Sequence, residues 1–173
     1  MGDEQGRNPA TKIAYMNNTI TAANANVDWL QIYEVIGSAN LVLKYLPGID
    51  FPTEANKNRY LAEAHAMRAF MYFVLARSWG DVPIVTEPTE GYDPETTFKP
   101  RTPVTEVFNL IRSDIQDAIA LFPDNAFPSG RATWSLPAVN ALKGDVYLWT
   151  AKKMGGGNAD LQTALDALEE VRA

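Results

Sequence analysis

The 173-residue chain contains no cysteine and a single histidine. The first absence excludes disulfides, thiolate zinc sites and cysteine nucleophiles within these residues. The second excludes a metal site built from several imidazoles. Basic residues are in the minority: 15 Lys and Arg stand against 21 Asp and Glu, a formal net charge of −6. That sign opposes nucleic-acid binding, which draws its affinity from neutralised phosphates. It offers no attraction to an anionic membrane either. Long apolar runs are also missing. The longest, Ala69 to Ala76, has eight residues, whereas a membrane helix needs about 18. The first residues, Met1-Gly2-Asp3-Glu4, are polar and acidic and lack the apolar stretch of a signal peptide. Cysteine content therefore does not fix the compartment.

What is present fits a globular, helical protein. Hydrophobic residues make up 46%, enough for one core or two small ones. Trp29, Ile32, Tyr33, Ile36 and Leu43 follow helical spacing, with Asp28 as N-cap and Pro47-Gly48 as stop. Asn40 falls on the apolar face of this helix, so it must find hydrogen-bond partners on a neighbouring loop or helix. A second helix is expected from Thr53, its cap, to about Ser78, with Gly80 as terminator. Between Ala66 and Ala76 it is apolar nearly all round, and Arg68 is the one charge there. Such a helix is contacted on several sides. Five of the 11 prolines lie between Gly80 and Pro103, which marks a long irregular connection; Val82 to Thr86 could form a short extended piece. Further helices are expected at 104–122, at 136–154 with Ser135 as cap, and from about Asp160 onward. That last one carries a stripe of Leu161, Leu165, Leu168 and Val171. Lys12 to Ile20 is a further helical candidate. No strand pattern is evident, so the class is all-α.

A shift of 75 residues superposes the chain on itself. Ala66, Tyr72, Ala76 and Gly80 meet identical residues at Ala141, Tyr147, Ala151 and Gly155. The preceding helices agree as well, with Ile36 on Ile111 and Tyr33 on Phe108. Two copies of a helix–helix unit follow, of the tetratricopeptide-like, α-solenoid kind. The chain then divides into 27–80 as a first helix pair and 81–103 as a proline-rich loop. Residues 104–155 form a second pair, and 159–173 the first helix of a third pair cut short or, alternatively, a cap whose stripe packs back onto the second unit.

Four stretches carry a family resemblance: WLQIYEVIGSANLVLKYLP, AEAHAMRAFMYFVLARSWGDVPIVTEP, RTPVTEVFNLIRSDIQDAIALFP and GRATWSLPAVNALKGDVYLWTAK. In order and spacing, from Trp29 to Lys152, they resemble the SusD/RagB family. The resemblance implies a nutrient-binding outer-membrane lipoprotein of Bacteroidetes, held on the cell surface by a lipid anchor. It implies a non-catalytic protein that binds an oligosaccharide or other nutrient and passes it to a SusC-type TonB-dependent transporter. Tetratricopeptide-like units would support a more irregular ligand-binding half and dock on the transporter. The leader, the lipid-bearing Cys and much of the ligand half are not among these residues.

Several residues are candidates for contact with a glycan. Trp79 and Trp134 sit at helix ends, where an indole could stack on a sugar ring; packing beneath a loop is the competing role. Tyr15, Asn17 and Asn18 combine an aromatic with amides that offer donors and acceptors to hydroxyls. They precede the Trp29 helix, a region that can contribute to the ligand face in this family; a solvated polar turn is the other reading. Trp29 and Trp149 read as core. Gly80-Asp81-Val82-Pro83 reads as a helix stop and turn, and His65 as a surface or packing residue. Glu63, Asp81 and Glu87 form no carboxylate pair with a defined separation, as glycoside hydrolysis would require. Gly155-Gly156-Gly157 lacks the Lys-Ser/Thr of a phosphate loop. No catalytic residue, metal or cofactor is expected. A helical adaptor for a peptide or protein is the alternative function, and an enzyme the third.

Overall fold

The computed structural model describes residues 13, 14, 16, 17, 19, 21, 28–91, 98–127 and 132–172. Residues 1–31 and 32–173 form two compact units. In the first, Ile13, Ala14 and Met16 are helical, and Asn17 and Thr19 close the turn through backbone bonds to Ile13 and Ala14.

Five α-helices follow in order: α1 Leu30–Tyr45, α2 Glu54–Trp79, α3 Val104–Leu121, α4 Leu136–Lys153 and α5 Gly157–Arg172. Among the described residues no β-strand occurs, and no helix is long and apolar enough to cross a membrane. Local chemistry sets the boundaries. The Asp28 carboxylate accepts from the Leu30 amide at 3.1 Å, and a 3₁₀ turn at Leu46–Gly48 ends α1. Thr53 Oγ1 accepts from the Asn56 amide at 3.2 Å, and Ser135 Oγ from Ala138 at 3.4 Å. Each satisfies one of the orphan donors of a helix start. Gly80 ends α2 at φ 70° and Gly155 follows α4 at φ 79°. The two stop glycines of the 75-residue repeat thus share the left-handed backbone that favours glycine. Ile36 and Ile111, also in register, are both fully buried. Not every match is structural, for Ala66 is buried while Ala141 is exposed.

One boundary differs from the sequence expectation. α5 begins at Gly157 rather than near Asp160, because the turn after α4 takes only a few residues. Gly157, at φ 58°, is already its first residue.

The core lies around α2. Tyr72, Phe73, Leu75, Phe108, Ile111 and Val139 are all buried. α2 packs most closely along α3, and α4 along α5. Phe73 meets Phe108 edge-on at 6.0 Å and Trp149 at 6.4 Å, so one ring joins α2, α3 and α4. α5 turns Ala164 and Ala167 inward and leaves Leu165, Leu168 and Val171 largely exposed. The small side chains permit close approach: a Cβ at Gly144 would come within 2.8 Å of Leu168.

The proline-rich connection is closed at its base. Val82 and Thr102 form an isolated antiparallel bridge, which is all that appears of the expected extended piece. Asp81 Oδ1 accepts from the Val104 amide at 2.8 Å and so caps α3 from across the loop. The descending arm is strapped to the helices by side chains. Asn40 donates to the carbonyls of Val85 (2.9 Å) and Glu87 (3.4 Å), Tyr33 to that of Pro83 (2.5 Å), and Lys44 and Tyr45 bind Glu90. Tyr72 uses one hydroxyl twice, donating to the Val85 carbonyl and accepting from the Val85 amide. Burial pushes its phenol up to about 12, so it stays neutral and can do both. The expectation for Asn40 is met: its amide finds partners in the backbone of the neighbouring arm.

Candidate functional site

Among the described residues, an open cleft lies between the middle of α2 and the N-terminal end of α4. Glu63 and Met67 are one turn apart on α2, so their side chains share a face. Ala132, Thr133, Trp134 and Ala138 approach from the segment that leads into α4. Together they line a cleft of about 440 Å³, within the range of small-ligand sites. Trp134 is half-buried and rests edge-on against Phe70 at 5.9 Å. Ser135, the next residue, is buried and caps α4, so the helix start fixes the indole's position.

Glu63 is the ionisable residue among those described in the cleft lining. Burial raises its carboxyl above the usual range, against an opposing pull from Arg59. Arg59 itself is turned to Asp124, at 3.2 and 3.3 Å. Its folded value lies above its unfolded one, so this group's contribution to stability is present below the ordinary carboxylate range, about 4–5. That contribution is lost as pH rises through the raised value, and at pH 7 the ionised group is a net cost. Glu63→Gln is therefore expected to raise the thermal midpoint at pH 7 and to leave it unchanged near pH 4. Melts at the two pH values check this.

The other sequence candidates are placed differently. Tyr15 and Asn18 lie outside the described residues. Asn17 is exposed in the turn that follows Ile13. Trp79 is the half-buried last residue of α2 and does not line the cleft. Of the three candidates among the described residues, Trp134 is the one that lines the cleft. Glu63 was visible in the sequence only as an unpaired carboxylate. Its spacing to Met67 and Phe70 gave the shared face, but nothing local pointed to Trp134.

A second polar cluster has a different character. His65, Asp114 and Asp117 bring three possible ligand atoms within 4.8 Å of one another. However, Asp114 is already held by the Arg68 fork, Nε to Oδ2 at 2.8 Å and NH2 to Oδ1 at 2.7 Å. His65 Nδ1 lies 2.7 Å from Oδ1. The guanidinium stands where a cation would, and NH1 continues to Asn40 Oδ1 at 2.8 Å. This network locks α1, α2 and α3 together.

Comparison with known proteins places the chain. A family described as starch-binding and associating with the outer membrane, SusD-like, matches residues 3–148. SusD-like protein P38 of Formosa agariphila is 35% identical over 136 residues, which is 78% of this chain and 25% of that protein. A SusD superfamily structure from Bacteroides vulgatus superposes with a TM-score of 0.80 at 38% identity, over 90% of this chain and 31% of that one. A laminarin-binding SusD-like protein gives 0.80 at 28% identity, over 99% and 35%. The chain thus spans about a quarter to a third of the length of these relatives. The matched span covers all of α1 to α3 and most of α4, and the chain belongs to the SusD-like family.

Proposed function

We propose that this chain is the helical part of a non-catalytic glycan-binding protein of an outer-membrane uptake system. In this reading an oligosaccharide is captured without covalent chemistry and presented to a SusC-type TonB-dependent transporter. The protein is held at the outer membrane of a Bacteroidetes cell by a lipid carried outside these residues. The division into 27–80, 81–103, 104–155 and 159–173 describes the helical part that supports the ligand site and docks on the transporter. The observation that carries the reading is the match, over nearly the whole chain, to a protein that binds laminarin. The cleft beside Trp134 is consistent with it, because it offers an aromatic ring together with polar groups. The polar networks among the described residues fix helices and the strap.

Calorimetric titration with laminarin-derived oligosaccharides tests the reading. Saturable binding with no change in oligosaccharide length is the expected result. Cleavage of the glycan would overturn the non-catalytic assignment, and absence of binding the glycan assignment. Co-purification with a co-expressed TonB-dependent transporter tests the docking role.

A further inference from the structure

We propose that the cleft between α2 and the start of α4 is a subsite for a neutral pyranose, with Trp134 as the stacking platform and Glu63 and Thr133 as its hydrogen-bonding groups. The proposal rests on the glycan-binding reading above and deepens it, since it names a place and a sugar class.

Three observations converge on this class. First, the cleft's size of about 440 Å³ suits a ligand of one or two rings, at the small end of ligand sites. Second, its lining is divided. Trp134, Met67, Ala132 and Ala138 are apolar, while Glu63 and Thr133 are polar. A pyranose has the matching division, with an apolar C–H face and a rim of hydroxyls. An indole face suits the first.

Third, Glu63 is short of donors. Among the described residues no hydrogen bond reaches its carboxylate, although it is partly desolvated. Arg59, one turn away, is engaged with Asp124. An ionised carboxylate can only accept hydrogen bonds, at roughly four lone-pair positions. Sugar hydroxyls supply donors at that spacing, and bonds to a charged acceptor are the stronger kind. The threonine hydroxyl can donate or accept and so tolerates either orientation of a neighbouring hydroxyl.

The same carboxylate sets the sign of the ligand. A uronate or other acidic sugar would bring a second negative charge beside Glu63, which like-charge repulsion disfavours. The subsite thus selects neutral rings by attraction to their hydroxyls and by repulsion of anions. A metal ion is a poorer fit, because a hard cation needs several oxygen ligands and the described lining offers one carboxylate.

The test measures the dissociation constants of laminarin-derived oligosaccharides and of galacturonate oligosaccharides for the 173-residue chain and two variants, Trp134→Ala and Glu63→Gln. Circular dichroism verifies the helical content of each. Both variants are expected to weaken neutral-glycan binding about tenfold. Glu63→Gln is also expected to narrow the preference for neutral over acidic glycan by about tenfold, a change in selectivity that a purely structural role would not produce. Should Trp134→Ala fail to fold, the isosteric Glu63→Gln decides alone. If wild type binds neutral glycans and neither variant alters affinity, the subsite is overturned while the glycan-binding reading stands. If wild type prefers the acidic glycan, the subsite's chemistry is overturned. If wild type binds no glycan, both proposals fall together.

Discussion

Asp114→Ala is expected to cost about 3–5 kcal/mol of folding stability. Asp114 is only 1% exposed and Arg68 8%. The carboxylate accepts both arms of the Arg68 fork and lies beside His65 Nδ1. Its removal leaves a guanidinium buried with one remaining partner, Asn40, and the desolvation cost of that charge goes uncompensated. A double variant, Arg68→Met with Asp114→Leu, is expected to be more stable than Asp114→Ala alone, because it removes the charge as well as its partner. Urea denaturation followed by circular dichroism measures both. A cost below about 1 kcal/mol for the single variant would mean that water, not Asp114, solvates Arg68.

Phe73→Ala is expected to be comparably severe, about 3–5 kcal/mol. Phe73 is fully buried and packed edge-on between Phe108 of α3 and Trp149 of α4. The guanidinium of Arg77 lies 4.1 Å from its ring centre. Truncation removes apolar contact on three helices at once and opens a cavity that main chains packed on several sides cannot collapse. Domains of this kind are stable by only about 5–15 kcal/mol, so the variant should also show raised amide exchange throughout α2. A midpoint shift of only a degree or two, read by calorimetry, would show that the three helices do not share one core.

The 75-residue repeat shows how far sequence self-similarity reaches. It located both stop glycines and the paired Ile36 and Ile111, which share backbone conformation or burial. It did not reveal which helices lie closest. α2 packs along α3 and α4 along α5, and those contacts depend on how successive helices are stacked, which no local signal encodes. The stripe on the last helix makes the same point. Leu161, Leu165, Leu168 and Val171 read as its buried face, yet the face turned to α4 is made by Ala164 and Ala167. Ala164 and Ala167 are the buried positions, and Leu168, though partly exposed, lies against Gly144, where even a Cβ would come within 2.8 Å of it.

By itself, the sequence determined the all-α class, the helix starts at Thr53 and Ser135, the ends at Gly80 and Pro123, and the irregular run of prolines. These follow from backbone dihedrals and single hydrogen bonds within a few residues, which side-chain type dictates directly. It also showed that Asn40 and Arg68, polar residues on apolar faces, needed partners. Tertiary structure alone decided who those partners are: Val85, Glu87 and Asp114, each brought from a distant part of the chain. The cleft was decided the same way. Glu63 lies on α2 and Trp134 in the segment before α4, and their meeting depends on the packing of α2 against the start of α4, a property of the whole core rather than of either segment.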